Sequence, residues 1–132
     1  MNRIILAFGI GILGILISCQ NQGSTAIPQV ETNSKLVNLS EAKKMLAAGE
    51  VIALDVRTPE EISEGKIQGA LEIDYKANNF KEKIEKLDKS ASYLVYCRSG
   101  GRSAKCTKLM KKLGFKQTYD LDGGYAAWSS EK

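Results

Sequence analysis

Tyr93-Leu94-Val95-Tyr96-Cys97-Arg98-Ser99-Gly100-Gly101-Arg102-Ser103 is the stretch that decides the fold. Its first four residues are aromatic, aliphatic or β-branched without a polar break, and predict a strand over Tyr93–Tyr96. Its last residue opens a helix over Ser103–Leu113, on which Cys106, Leu109, Met110 and Leu113 share one face and which Gly114 ends. A strand joined to a helix by so short a loop is half of a parallel crossover unit, and the neighbouring segments are read with that in mind.

Working outward, Leu36–Leu39 predicts a short strand, and Ser40 caps a helix over Glu41–Ala48 that Gly49 stops. Val51–Leu54 is a continuous apolar run, as expected of a strand buried on both faces. Thr58-Pro59-Glu60-Glu61 combines an N-cap, a proline at the first helical position and a capping-box glutamate, and that short helix ends at Gly65. Ala70–Ile73 is a further strand, and Phe80, Ile84 and Leu87 mark one face of a helix over Asn79–Leu87. Phe115–Leu121 is the last strand, followed by a short helix near Tyr125–Trp128. The alternation predicts an α/β domain with a parallel sheet covered on both faces. Ligands of such sheets sit beyond the carboxyl ends of the strands.

Composition narrows the chemistry. The chain has 132 residues, 19 Lys+Arg against 15 Asp+Glu, 43% hydrophobic and 26% charged residues. That fits one globular domain with a short appendage. A net charge of +4 with no basic run interleaved with aromatics argues against a nucleic-acid partner. There is no histidine, which removes the usual general base, the common imidazole metal ligand and any histidine-assisted nucleophile. Three cysteines, widely spaced, form neither a zinc site nor a disulfide framework, so no metal is expected.

The amino-terminal segment reads as separate from the fold. Met1-Asn2-Arg3 is a short positive start, and Ile4 to Ile17 is an unbroken apolar or glycine run. It is shorter than the about 20 residues of a spanning helix and within the roughly 7–15 of an export signal. Leu16-Ile17-Ser18-Cys19 resembles the bacterial lipobox, which implies a signal peptide over residues 1–18 and a lipidated Cys19. Residues 19–34 then form the lipidated cysteine and a flexible polar tether, and residues 35–132 the folded domain. The expectation is an exported, membrane-anchored lipoprotein, periplasm-facing if the cell is Gram-negative.

The loop after Tyr96 carries the reactive groups. A loop that runs into a helix amino terminus gathers unpaired N–H groups and the positive end of the helix dipole. Gly100 and Gly101 let successive amides turn inward, and Arg98 and Arg102 add positive charge. A cysteine opening such a loop, Cys97, has its pKa lowered from about 8.5 toward roughly 3.5–7.5. The same cradle holds an anion such as thiosulfate against the sulfur.

Cys97-Arg98-Ser99-Gly100-Gly101-Arg102-Ser103 resembles the active-site loop of the rhodanese family of sulfurtransferases. The resemblance extends through Asp55-Val56-Arg57, Glu60-Glu61-Ile62, Gly65-Lys66-Ile67-Gln68-Gly69-Ala70 and Leu121-Asp122-Gly123-Gly124-Tyr125-Ala126-Ala127-Trp128, in the family's order and over nearly all of residues 35–132. It implies a five-stranded parallel sheet with helices on both faces and no cofactor. It also implies a two-step cycle in which Cys97 takes a sulfane sulfur as a persulfide and passes it to a thiol or cyanide. Residues 98–103 are then the donor-binding loop. Lys66 stands where the family usually has His, and Ile62 where it has Phe. Related phosphatases and arsenate reductases have a Cys-x5-Arg loop, one residue longer than the Cys-x4-Arg spacing of Cys97 and Arg102.

Other readings of the same residues stay open here. Arg98 and Arg102 are either anion contacts or plain surface charges. Asp55 and Arg57, at the end of a buried strand, are expected to pair and brace the loop rather than to react. Cys106 is expected in the core, with no disulfide to Cys97, which is expected to be open to solvent. Asp122-Gly123-Gly124 is expected to turn near the loop, and the Lys-rich stretch 81–89 to be solvated. A carrier or persulfide-sensing module that binds a protein partner uses the same loop as an enzyme, and the sequence names no such partner.

Overall fold

The computed structural model describes residues 31–131. Five strands and five helices alternate: β1 Asn33–Val37, α1 Leu39–Ala47, β2 Ile52–Asp55, α2 Pro59–Ser63, β3 Leu71–Glu72, α3 Phe80–Glu85, β4 Ser92–Tyr96, α4 Gly101–Lys112, β5 Gln117–Leu121 and α5 Gly124–Ser130. The strands form one parallel sheet in the order β1-β5-β4-β2-β3. The predicted five-stranded α/β fold is the observed one.

Both faces of the sheet are packed, which is why β4 reads as an apolar run. Tyr93 and Val95 join Leu54, Ile84, Met110 and Phe115 on the α3–α4 face, all buried. Leu94 and Tyr96 join Val37, Ala42, Ala53 and Leu121 on the α1 face, with Trp128 of α5 packed at its margin. Each aliphatic or aromatic side chain so buried contributes about 1.5–3 kcal/mol.

The chain leaves β2 toward the β3 edge and leaves β4 toward β5 on the other side. Connections that diverge in this way open a crevice beyond the carboxyl ends of the two strands. Cys97 follows β4 and Arg57 follows β2, so the topology itself brings them to one end of the sheet.

Several boundaries differ from expectation by a residue or more, and three have a visible cause. β1 begins at Asn33 because that backbone pairs with Gln117 of β5, so two residues assigned to the tether belong to the sheet. The α1 cap is Asn38, whose side chain accepts from the Glu41 amide at 2.9 Å, rather than Ser40. α4 begins at Gly101, not Ser103, because Gly100 takes the left-handed conformation (φ 115°) that turns the chain straight into the helix. The thiol of Cys19, the apolar run and most of the tether lie outside the described residues. In α3 the lysines point outward, and Lys81–Glu85 and Lys86–Glu82 pair on the solvated face.

Candidate active site

Cys97 leaves the end of β4 and points back toward the first turn of α4. The Gly100 amide donates to Sγ at 3.1 Å, and the Ser103 hydroxyl lies 3.5 Å from it. The residue is 1% exposed, so the sulfur is enclosed rather than open as the sequence suggested. Burial alone pushes the thiol pKa up. Hydrogen bonds from the Ser103 hydroxyl and from the amides of Ser103, Gly100 and Ser99 outweigh it and bring the pKa below its ordinary value. Donors aimed at an ionised acceptor are roughly twice as strong as neutral pairs, which is how a handful of amides offset desolvation. Of the two glycines only Gly100 is required by its backbone angle, since a Cβ on Gly101 would meet nothing within 4 Å.

The loop is fixed from behind by α5. The Tyr125 amide donates to the Cys97 carbonyl at 2.8 Å and the Ala126 amide to the Arg98 carbonyl at 3.0 Å. Gly123 and Gly124 make the turn that lets α5 approach, as expected of that dipeptide. A Cβ on Gly124 would stand 2.6 Å from the Cys97 carbonyl oxygen and 2.7 Å from that of Arg98, at φ +56°. Gly124→Ala is therefore expected to push the loop off α5, costing stability by more than the about 1–2 kcal/mol of a left-handed alanine alone. Denaturant midpoints and Cys97 alkylation rates should both move, while Gly101→Ala leaves stability within about 1 kcal/mol.

The two loop arginines divide. Arg98 is exposed and lines a cavity of about 400 Å³ together with Arg57, Glu61, Glu64, Tyr125, Ala126 and Ser129. Arg102 is committed elsewhere: its Nη1 and Nη2 each donate at 2.7 Å to the two oxygens of Glu61. This fork pins the start of α4 to α2.

Glu61 serves both elements. Its carboxylate accepts from the Thr58 amide at 3.1 Å while its own amide donates to the Thr58 hydroxyl, closing the capping box. Arg102 above all draws its pKa down to about 2, against an opposing push from burial, with the Thr58 amide adding to the fall. A carboxyl whose pKa falls on folding stabilises the fold above its unfolded value, near 4.5, and that stability is lost as pH drops from there toward 2. Glu61→Gln is accordingly expected to be less stable than wild type at pH 6 and nearly equal to it at pH 2.5. Urea midpoints at both values check the sign.

Asp55 and Arg57 form the ion pair the sequence predicted, and both are buried, at 0% and 3% exposure. Arg57 Nη2 donates to Asp55 Oδ2 at 2.6 Å and Nε to Oδ1 at 3.0 Å. The same guanidinium donates to the Gly65 carbonyl at 2.8 Å and the Glu61 carbonyl at 3.3 Å, and stacks 4.0 Å from the Tyr125 ring centre. Since α2 has no buried residue, Arg57 rather than an apolar face ties it to the sheet and to α5.

With this geometry in view, the comparisons decide the kinship. The profile of the rhodanese-like domain matches residues 38–131. The chain belongs to the rhodanese-like domain family. It is 40% identical over 89 residues to the putative sulfurtransferase YtwF of Bacillus subtilis, covering 67% of this chain and 84% of that protein. It is 38% identical over 103 residues to the chloroplastic thiosulfate sulfurtransferase 16 of Arabidopsis thaliana, covering 70% and 85%. Among solved structures, a rhodanese-related protein of Thermoplasma volcanium matches with TM-score 0.67 and 28% identity over 74% of this chain and 92% of that one. The human single-domain sulfurtransferase TSTD1 matches with TM-score 0.64 and 25% identity over 74% and 96%.

In this rhodanese-like domain, Lys66 pairs with Glu72 across the exposed start of β3, so the position has surface work only. Cys97 and Cys106 are both free, as expected. Cys106 is wholly buried, and burial together with the Asp120 and Cys97 charges pushes its thiol up to about 12. Two residues escaped the sequence reading. Glu61 was legible only as a capping box, since its partner Arg102 lies far along the chain. Asp120 is an acid on the inward-facing register of β5, and strict alternation of that strand was the signal that could have found it.

Proposed function

We propose that this domain is a sulfurtransferase that carries a sulfane sulfur on Cys97. One observation carries the reading: the Gly100 amide at 3.1 Å and the Ser103 hydroxyl at 3.5 Å converge on the buried Cys97 sulfur at the start of α4, which holds its pKa down against burial. Such a group is shifted toward the thiolate, the attacking form, and is enclosed against water. Its relatives named as sulfurtransferases support the same chemistry.

The steps balance with two substrates. The Cys97 thiolate attacks the outer sulfur of thiosulfate, the S–S bond breaks, and sulfite leaves with the bonding pair. The Cys97 persulfide anion then occupies the amide cradle. A thiolate or cyanide attacks the outer sulfur, leaves as a persulfide or thiocyanate, and returns Cys97 to its thiolate. Arg98, the exposed residue that follows Cys97, is the cation for the anionic donor, while Arg102 holds α4 to α2. The purified domain should release sulfite from thiosulfate and form thiocyanate with cyanide.

Burial of Cys97 also favours a second reading, a carrier that keeps its persulfide until a protein partner opens the loop. Single-round loading with negligible turnover on any small acceptor would establish that reading in place of the first. Phosphatase chemistry is disfavoured by the fork to Glu61, which takes up the guanidinium a phosphate would need. No hydrolysis of an aryl phosphate is expected.

The amino-terminal sequence supports an anchor. We place the domain outside the cytoplasm, tethered to a membrane by lipid on Cys19. Lipid mass on an amino-terminal Cys19 peptide from native membranes tests it, and an intact residue 1–18 segment overturns it.

A further inference from the structure

Asp120 has no part in the chemistry above, and it is an unusual residue to bury. It sits on β5 at the register of Val95 in β4 and Leu36 in β1, so its side chain shares the sheet face of Val95 and Cys97 beneath the first turns of α4. It is 8% exposed, and its Oδ1 is buried with no hydrogen-bond partner. A buried carboxyl with an orphaned oxygen is costly, so its surroundings decide which protonation state survives. The groups that face it are the Ser103 hydroxyl and Cys106 thiol from α4, and Asp122 from its own strand end. No cation acts on it among the described residues. Burial, opposed by Ser103 and helped by Asp122, raises its pKa.

Ser103 is the link. A hydroxyl has one hydrogen to give, and this one lies 3.2 Å from the Gly100 carbonyl and 3.5 Å from Cys97 Sγ. Asp120 reaches the same end of the sheet through the register of Val95, and Ser103 is the α4 group that acts on its carboxyl. We propose that Asp120 is a positioning residue for Cys97 that acts through the Ser103 hydroxyl: protonated Asp120 donates to Ser103 Oγ and leaves the hydroxyl hydrogen for the Cys97 sulfur, whereas ionised Asp120 draws that hydrogen away. Cys97 then loses a donor and gains a repelling charge as Asp120 ionises, so the thiolate is weakened when pH rises through the Asp120 titration. The inference rests on Cys97 as the nucleophile, but its test reads thiol ionisation and not sulfur transfer, so either can fail without the other.

The measurement is the pH dependence of Cys97 alkylation in the full chain, mapped to the residue by mass and paired with thiolate absorbance. Cys106, titrating near 12, stays silent below pH 9. Asp120→Asn keeps the shape and an N–H donor toward Ser103 but cannot ionise. It should lower the Cys97 pKa by about half a unit or more, and Asp120→Ala by less. In a Ser103→Ala background the Asp120→Asn change should shift nothing. The wild-type profile should show two inflections where Asp120→Asn shows one, an arm that needs no destabilised variant. An unmoved pKa, equal shifts for Asn and Ala, persistence of the shift without Ser103, or a single wild-type inflection would each overturn the proposal.

Discussion

Cys97→Ser is expected to abolish sulfite release from thiosulfate, lowering the rate by about a thousandfold or more while leaving the fold intact. The cradle explains the size of the effect. Its donors bring a thiol, which is already partly ionised near neutral pH, further into the thiolate form. They cannot do the same for a serine hydroxyl. Serine is also close in volume to cysteine, and its hydroxyl can accept from the same Gly100 amide, so stability should change little. Steady-state sulfite production by both proteins at equal concentration checks it. A serine variant within tenfold of wild type would mean that another group carries the sulfur.

The largest effect on stability is expected from Asp55→Ala. It leaves the Arg57 guanidinium 3% exposed with no counter-charge. Removing one partner of a buried pair costs about 3–5 kcal/mol, since the remaining ion has lost its compensation but not its desolvation. For a domain of this size, that lowers the melting temperature by more than about 10 °C. The damage should spread to the site, because Arg57 also holds the carbonyls of Glu61 and Gly65 and the ring of Tyr125. Adding Arg57→Ala to Asp55→Ala should cost less than the sum of the two single changes, because the stranded charge goes with it. Thermal melts of the two single variants and the double variant measure that coupling. Additive losses would show that the pair does not act as a unit.

The sequence made the centre of this molecule readable and left its margins obscure, for physical reasons. β4 and the Cys97 loop are legible because an apolar run ending in Gly-Gly before a helical period admits one geometry. Asp55 and Arg57 are legible because two opposite charges spaced by one residue at the end of a buried strand have to find each other. The start of β1 was misplaced by three residues because Asn33, Ser34 and Lys35 are exposed, and their strand character comes from pairing with β5 rather than from their side chains. The α4 start was misplaced because the left-handed turn at Gly100 does the work assigned to both glycines. The Arg102–Glu61 fork was not legible because proximity to Cys97 along the chain is visible in sequence, whereas the approach of Glu61 across the crevice is not. Asp120 went unread because the alternation of β5 marks it as inward-facing, whereas only the topology places it under α4.

The central claim is that Cys97 takes up a sulfur atom, and the intact mass of the purified domain after brief exposure to thiosulfate tests it most directly. The account predicts a gain equal to one sulfur atom, mapped to the Cys97 peptide and reversed by cyanide. No mass gain, or a gain located on Cys106, would contradict it.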